Sequence, residues 1–107
     1  MFIAIDLTSA PPSVALHEPS DCKRFHVAVR GEDEDGVRHA LADSGVGTVD
    51  AEDDDHVWVS VDAVRRLAAG QVAPGWDDEF AGMLAYAASK GWMNADGTSI
   101  RAHREVW

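Results

Sequence analysis

Five histidines, one cysteine and several runs of acids are the residues of this chain with chemistry to offer. His17, His26, His39, His56 and His103 are scattered along the sequence, with neither H-E-x-x-H nor C-x-x-C spacing. A zinc site needs three or four converging ligands, so no metal is expected. One arrangement would still bring histidines together. His26 stands on the outward face of one predicted strand, and His56 and His103 on the outward faces of two others. If those strands are neighbours, the imidazoles meet, and Trp58, on the same face as His56, joins them. His26, His56, Trp58 and His103 are therefore a candidate pocket or interface. Cys22 lies beside Lys23 and Arg24, which favour a thiolate, but no base can be assigned to it.

The acidic runs fail as calcium loops. An EF-hand loop needs oxygen ligands at positions 1, 3 and 5, Gly at 6 and Glu at 12. With Gly36 at position 6, Gly31 falls at position 1. With Gly97 there, Trp92 falls at position 1 and His103 at position 12. Asp53, Asp54 and Asp55 are consecutive, so their side chains diverge on an extended chain. Gly45-Val46-Gly47 lacks the third glycine of a dinucleotide fingerprint and leads into a strand, not a helix. No catalytic residue and no cofactor are expected.

The elements that must position these side chains can be read from periodicity. Phe2–Leu7 alternates, with Ile3, Ile5 and Leu7 on one face, and predicts a strand that Pro11-Pro12 ends. Val14–Leu16 predicts a short strand before Pro19. Phe25, Val27 and Val29 alternate with His26, Ala28 and Arg30, and predict another. Glu32–Asp35 are acids suited to a helix start, Val37, Ala40 and Leu41 follow helical spacing, and Gly45 is the expected terminator. Val46–Asp50 and Val57–Val61 predict a hairpin around the acidic turn, with Val57 and Val59 inward and His56, Trp58 and Ser60 outward. Ser60 or Asp62 caps a helix carrying Val64, Leu67 and Ala68.

The strongest helix follows Pro74-Gly75. Trp76, Phe80, Met83, Leu84 and Ala87 form one apolar stripe, and Asp77, Asp78 and Glu79 fill the first turn. Its opposite face carries Ala81, Ala85 and Ser89, where a solvated helix usually has long polar side chains. Small residues permit close backbone approach, so this face is expected to pack on the Val61–Ala69 helix or on a partner subunit. Asn94-Ala95-Asp96-Gly97 is turn chemistry and predicts a C-terminal hairpin. The expected fold is a single α+β domain over 1–107, an antiparallel sheet with two or three helices packed on one face. The helix–helix–hairpin order is that of a winged helix-turn-helix, but the reading helix would present Asp, Ala and Ser, with Lys90 its only cation.

Nineteen acidic residues against nine basic ones give a formal charge of −10. Nucleic-acid affinity comes from cations neutralising phosphates, so no nucleic acid is expected as a partner, and anionic membrane surfaces are disfavoured likewise. No apolar run approaches the ~20 residues a membrane span needs. A lone cysteine fits a reducing compartment, so a cytoplasmic protein is expected.

The stretch Gly75–Trp92, followed by Asp96-Gly97 and Ile100–His103, resembles a family of small proteins of high-GC Gram-positive bacteria. The resemblance covers about the last half of the chain, from His56-Val57-Trp58-Val59 onward. It implies a free-standing, cytoplasmic single domain and carries no activity, cofactor or catalytic residue. Two functions are then expected in order. The first is a non-enzymatic protein-interaction or regulatory module, binding a protein partner or a second copy of itself. The alternative is a small enzyme or ligand-binding protein with a pocket around Trp58, His56, His26 and His103.

Overall fold

The alternating segments become strands and the 3.6-period segments become helices. A computed structural model describes residues 1–107, with β1 (Phe2–Asp6), β2 (Ser13–His17), β3 (His26–Arg30), α1 (Glu34–Ser44), β4 (Gly47–Val49), β5 (His56–Ser60), α2 (Val61–Ala68), α3 (Trp76–Ser89) and β6 (Ser99–Val106). The strands form one six-stranded sheet in the order β2-β1-β3-β6-β5-β4.

The fold is α+β as expected, but its sheet is mixed and not antiparallel. β1 pairs antiparallel with β2 yet parallel with β3, and β3 is parallel to β6. The cause lies in where the hairpin ends. Phe2 opposes His17, so β2 finishes beside the start of β1. The loop through Pro19 then delivers the chain to the far side of β1, where His26 opposes Phe2 and β3 must run the same way. Alternation reports which face a residue occupies; it carries no information on strand direction. The expected β4–β5 hairpin is present and antiparallel, and β6 pairs antiparallel with β5. Gly47 is required there, because a Cβ at this position would collide with the Trp58 carbonyl oxygen. The C-terminal hairpin is reduced to one bridge between Met93 and Ile100, closed by Asn94, whose side chain accepts from the backbone N–H groups of Thr98 and Ser99.

One cluster of buried side chains draws on every element. Ile3, Ile5, Val27, Val57, Val59 and Ile100 supply the sheet side, and Val37, Leu41, Val64, Trp76 and Phe80 the helix side. All three helices therefore lie on one face. The helix signals behave as expected: Gly45 takes a left-handed φ of 69°, and Ser60 Oγ accepts from Ala63 N–H at 3.2 Å. Trp76 and Phe80 stack at 4.7 Å between centroids, the Arg65 guanidinium lies over Phe80, and the Trp76 indole N–H donates to the Pro19 carbonyl.

The other face of α3 does not pack on α2, one of the two neighbours expected for it. Ala81, Ala85 and Ser89 are exposed. No element of this chain packs on them, because α2 meets α3 on the Phe80 side. No helix is long and apolar enough to cross a membrane.

Candidate functional site

The sheet face away from the helices carries the chemistry. Register places Phe2, His17 and His26 in one row across β2, β1 and β3. On β6 and β5, His103 opposes His56, and Arg101 opposes Trp58. Residues directly opposite in a sheet share a face, with Cβ atoms about 4.5–5.5 Å apart. That is close to the spacing of stacked rings, so rings in register stack.

They do so over four strands. His17 stacks on Phe2 at 5.1 Å between centroids, Phe2 on His26 at 5.0 Å, and His26 on His103 at 5.7 Å. Interplanar angles along the series stay at or below 26°. Trp107 meets Phe2 and His17 edge-on, and the Arg30 guanidinium lies 4.0 Å from the Trp107 ring centroid. Four of the five histidines thus stand on one face, and only His39, on α1, does not.

Carboxylates fix three of the rings. Glu105 bridges two imidazoles, with Oε2 3.1 Å from His26 Nε2 and Oε1 3.0 Å from His103 Nε2. Asp53 Oδ2 lies 2.8 Å from His56 Nδ1. Arg101 braces this second pair, its Nε donating to Asp50 Oδ2 at 2.9 Å and its Nη2 to Asp53 Oδ2 at 3.3 Å. The hydrogen bond from His103 and the nearby His26 hold the Glu105 carboxyl below its ordinary range. The Asp55 backbone N–H and the His56 ring do the same for Asp53, and the Glu52 backbone N–H and Arg101 for Asp50. Burial pushes the His26 imidazole down despite Glu105, which opposes the shift. All three carboxyls are therefore ionised near neutral pH and can only accept. Each bonded ring nitrogen must carry the proton: Nδ1–H on His56, Nε2–H on His26 and His103. Where a ring carries one proton, its other nitrogen keeps its lone pair.

The stack stops at His103. His56 is drawn toward Asp53, and a cavity of about 160 Å³ is lined by His56, His103, Arg101, Phe25 and Trp92. It lies beside a notch in the sheet. One edge of β6 pairs with Met93 at Ile100 and with β3 from Arg104 onward, and the Arg101 N–H reaches back to the Trp92 carbonyl at 2.7 Å. Phe25 and Trp92 flank that gap.

Of the four residues expected from the sequence, His56 and His103 share the cavity, His26 stacks behind His103, and Trp58 lies on the far side of Arg101 beside a separate, shallow depression. Sequence reasoning missed Glu105, Asp53, Arg101, Phe25 and Trp92. Glu105 had a readable signal, since it continues the outward alternation of Arg101 and His103. The Asp53–His56 pair is a turn contact that spacing alone does not specify. No group of three His, Cys, Asp or Glu side chains is arranged to hold a metal ion. His26, His56 and His103 are each held by a carboxylate, and the rings do not converge on a point.

Four larger cavities exist: the Trp58 depression of about 690 Å³, one of about 270 Å³ beside Glu34 and Arg104, and two of about 580 Å³ each. Of the last two, one lies between the Ser20–Lys23 segment and Glu79, Gly82, Met83 and Tyr86 of α3. The other lies beside Pro11 and Pro12 and contains His39. Size favours the others, but imidazoles held by carboxylates beside two aromatic rings carry more chemical information than volume. No family model, no curated protein and no solved structure matches this chain.

Proposed function

We propose that this protein is a small-molecule-binding domain whose site is the cavity between His56 and His103 on the open face of the sheet. One observation carries the reading. Two imidazoles, each fixed by its own ionised carboxylate, wall one cavity together with two aromatic rings. Rings held by packing and hydrogen bonds lose little freedom on binding a ligand, which is what preorganisation contributes. A cytoplasmic setting fits the single free thiol of Cys22.

Chemical-shift mapping with flat fragments (indole, nicotinamide and adenine, each at millimolar concentration) tests it. The expected result is movement of the His56 and His103 imidazole and Trp92 indole resonances, with His39 unmoved. Perturbations confined to the Cys22–Met83–Tyr86 groove, or none anywhere, would contradict it.

A second reading, the protein-interaction module, has one observation in its favour. Tyr86 is 58% and Trp92 43% exposed, and the two rings meet edge-on at 6.0 Å near the exposed Ala85 and Ser89. Aromatic residues are enriched in interface cores. A second copy of the chain on that patch would appear as a dimer in sedimentation equilibrium, and a monomer at all concentrations would argue against it.

A further inference from the structure

We infer that the ligand is a flat ring bearing N–H donors, uncharged or cationic, which enters between His103 and His56 as the missing rung of the ring series. The inference rests on the proposed binding function and gives it a ligand class.

Three independent features point the same way. The first is shape. The rings from His17 to His103 follow one another at 5.0–5.7 Å, and the next register position belongs to His56, which Asp53 holds aside. The cavity that His56 and His103 share measures about 160 Å³. An engineered apolar cavity of roughly 150 Å³ accepts one benzene ring, so this volume suits a single six-membered ring. Phe25 and Trp92 add aromatic walls.

The second is hydrogen bonding. With Nδ1–H of His56 committed to Asp53, the other nitrogen of that ring is an acceptor. His103 offers the stacked ligand only its face, because its lone pair lies in the ring plane. An imidazole acceptor beside the cavity selects a donor on the ligand, and a ligand offering only acceptors would leave it unpaired.

The third is charge. Arg101 is the only full cation in the cavity wall, and it already faces Asp50 and Asp53. Glu105 adds a third carboxylate behind His103. The charged groups around the cavity therefore sum to a negative potential while the imidazoles are neutral, which repels carboxylates and phosphates. A cationic ring also gains from the faces of Trp92 and Phe25.

Three matched probes on the wild-type protein at pH 7.5 and low salt separate these features. Benzamidine is a flat cation with N–H donors, benzoate is the flat anion, and cyclohexanecarboxamidine keeps the charge and donors without the flat ring. The expected result is that benzamidine shifts His56, His103 and Trp92 and binds about tenfold or more tighter than benzoate. It should also bind about threefold or more tighter than the cyclohexane analogue, through stacking. Benzoate binding at these residues as tightly as benzamidine would overturn the ligand class while leaving the cavity as a binding site. Equal affinity of the two amidines would overturn the inserted ring. Silence of all three probes at these residues would overturn the inference; if indole, nicotinamide or adenine still moved the same resonances, the binding function would survive it.

Discussion

The two faces of this sheet are built from the same strands by opposite means. On the helix side, Ile3, Ile5, Val27, Val57 and Val59 are fully buried. Cohesion there is removal of apolar area from water, non-directional and tolerant of which aliphatic residue supplies it. One residue along each strand, the chain presents Phe2, His26, His56 and His103 to an uncovered face. Cohesion there is ring stacking and charge-assisted hydrogen bonding, which depend on direction and on protonation. The covered face sets stability, and the open face holds a geometry that burial alone would not specify.

Neighbouring substitutions should break this comparison unequally. The largest effect is expected from Ile3→Ala on β1. Ile3 has no exposed surface, and truncating a buried Ile leaves a cavity costing about 2–5 kcal/mol. Urea unfolding should show it as a lowered midpoint with an unchanged slope; a loss below about 1 kcal/mol would mean the core repacks easily.

A smaller effect, with a different signature, is expected from His26→Phe on the adjacent strand. Phe keeps the ring in the stack and loses the bond to Glu105. At pH 7.5 stability should change by less than about 1 kcal/mol, the scale of one net hydrogen bond. The pH dependence should change more. Burial holds His26 below its ordinary 6.5, while Glu105 and Glu18 pull it up and His103 and the N-terminal amine push it down. The unfolded chain therefore takes up this proton more readily than the folded one. The stability that follows is fully present above pH 6.5 and is lost as pH falls through the lower, folded value. The variant should show a flatter decline below pH 6.5. A decline as steep as in the parent would assign the acid sensitivity to another group.

The smallest effect is expected from Ala85→Arg. Its site is exposed, and Arg is a good helix former, so stability should move by less than about 0.5 kcal/mol. An unchanged mass by light scattering accompanies that result if the small-residue face of α3 is solvated. Loss of a dimer would instead favour the interaction module.

Much of this architecture is legible in the residues themselves. The alternation of Val57-Trp58-Val59 and Ile100-Arg101-Ala102 assigns faces correctly, because side-chain direction in a strand depends only on parity. The α3 stripe places Trp76 and Phe80 in the core for the same kind of reason. Strand direction is not legible, since β1 and β3 read identically whether parallel or antiparallel. The Ala81, Ala85 and Ser89 face does not say which neighbour it takes: α2 is not that neighbour, and small residues permit a second copy without requiring one. The candidate histidines are legible only conditionally. Their meeting needs β3, β6 and β5 to be adjacent, which long-range pairing decides and local pattern does not. Glu105 sits two residues past His103 on the same outward parity, so its face is legible. Its bond to His26 is not, because that again depends on β3 lying beside β6.

Ionised carboxylates fixing two imidazoles in the wall of one cavity are the feature on which the proposed function stands. Long-range ¹⁵N–¹H correlation of the histidine rings at pH 7.5 tests it directly. The expected result is the Nε2–H tautomer for His26 and His103 and the Nδ1–H tautomer for His56, with Asp53→Asn releasing His56 alone. His56 as the Nε2–H tautomer in the wild-type protein, or a mixture of tautomers at His103, would contradict it.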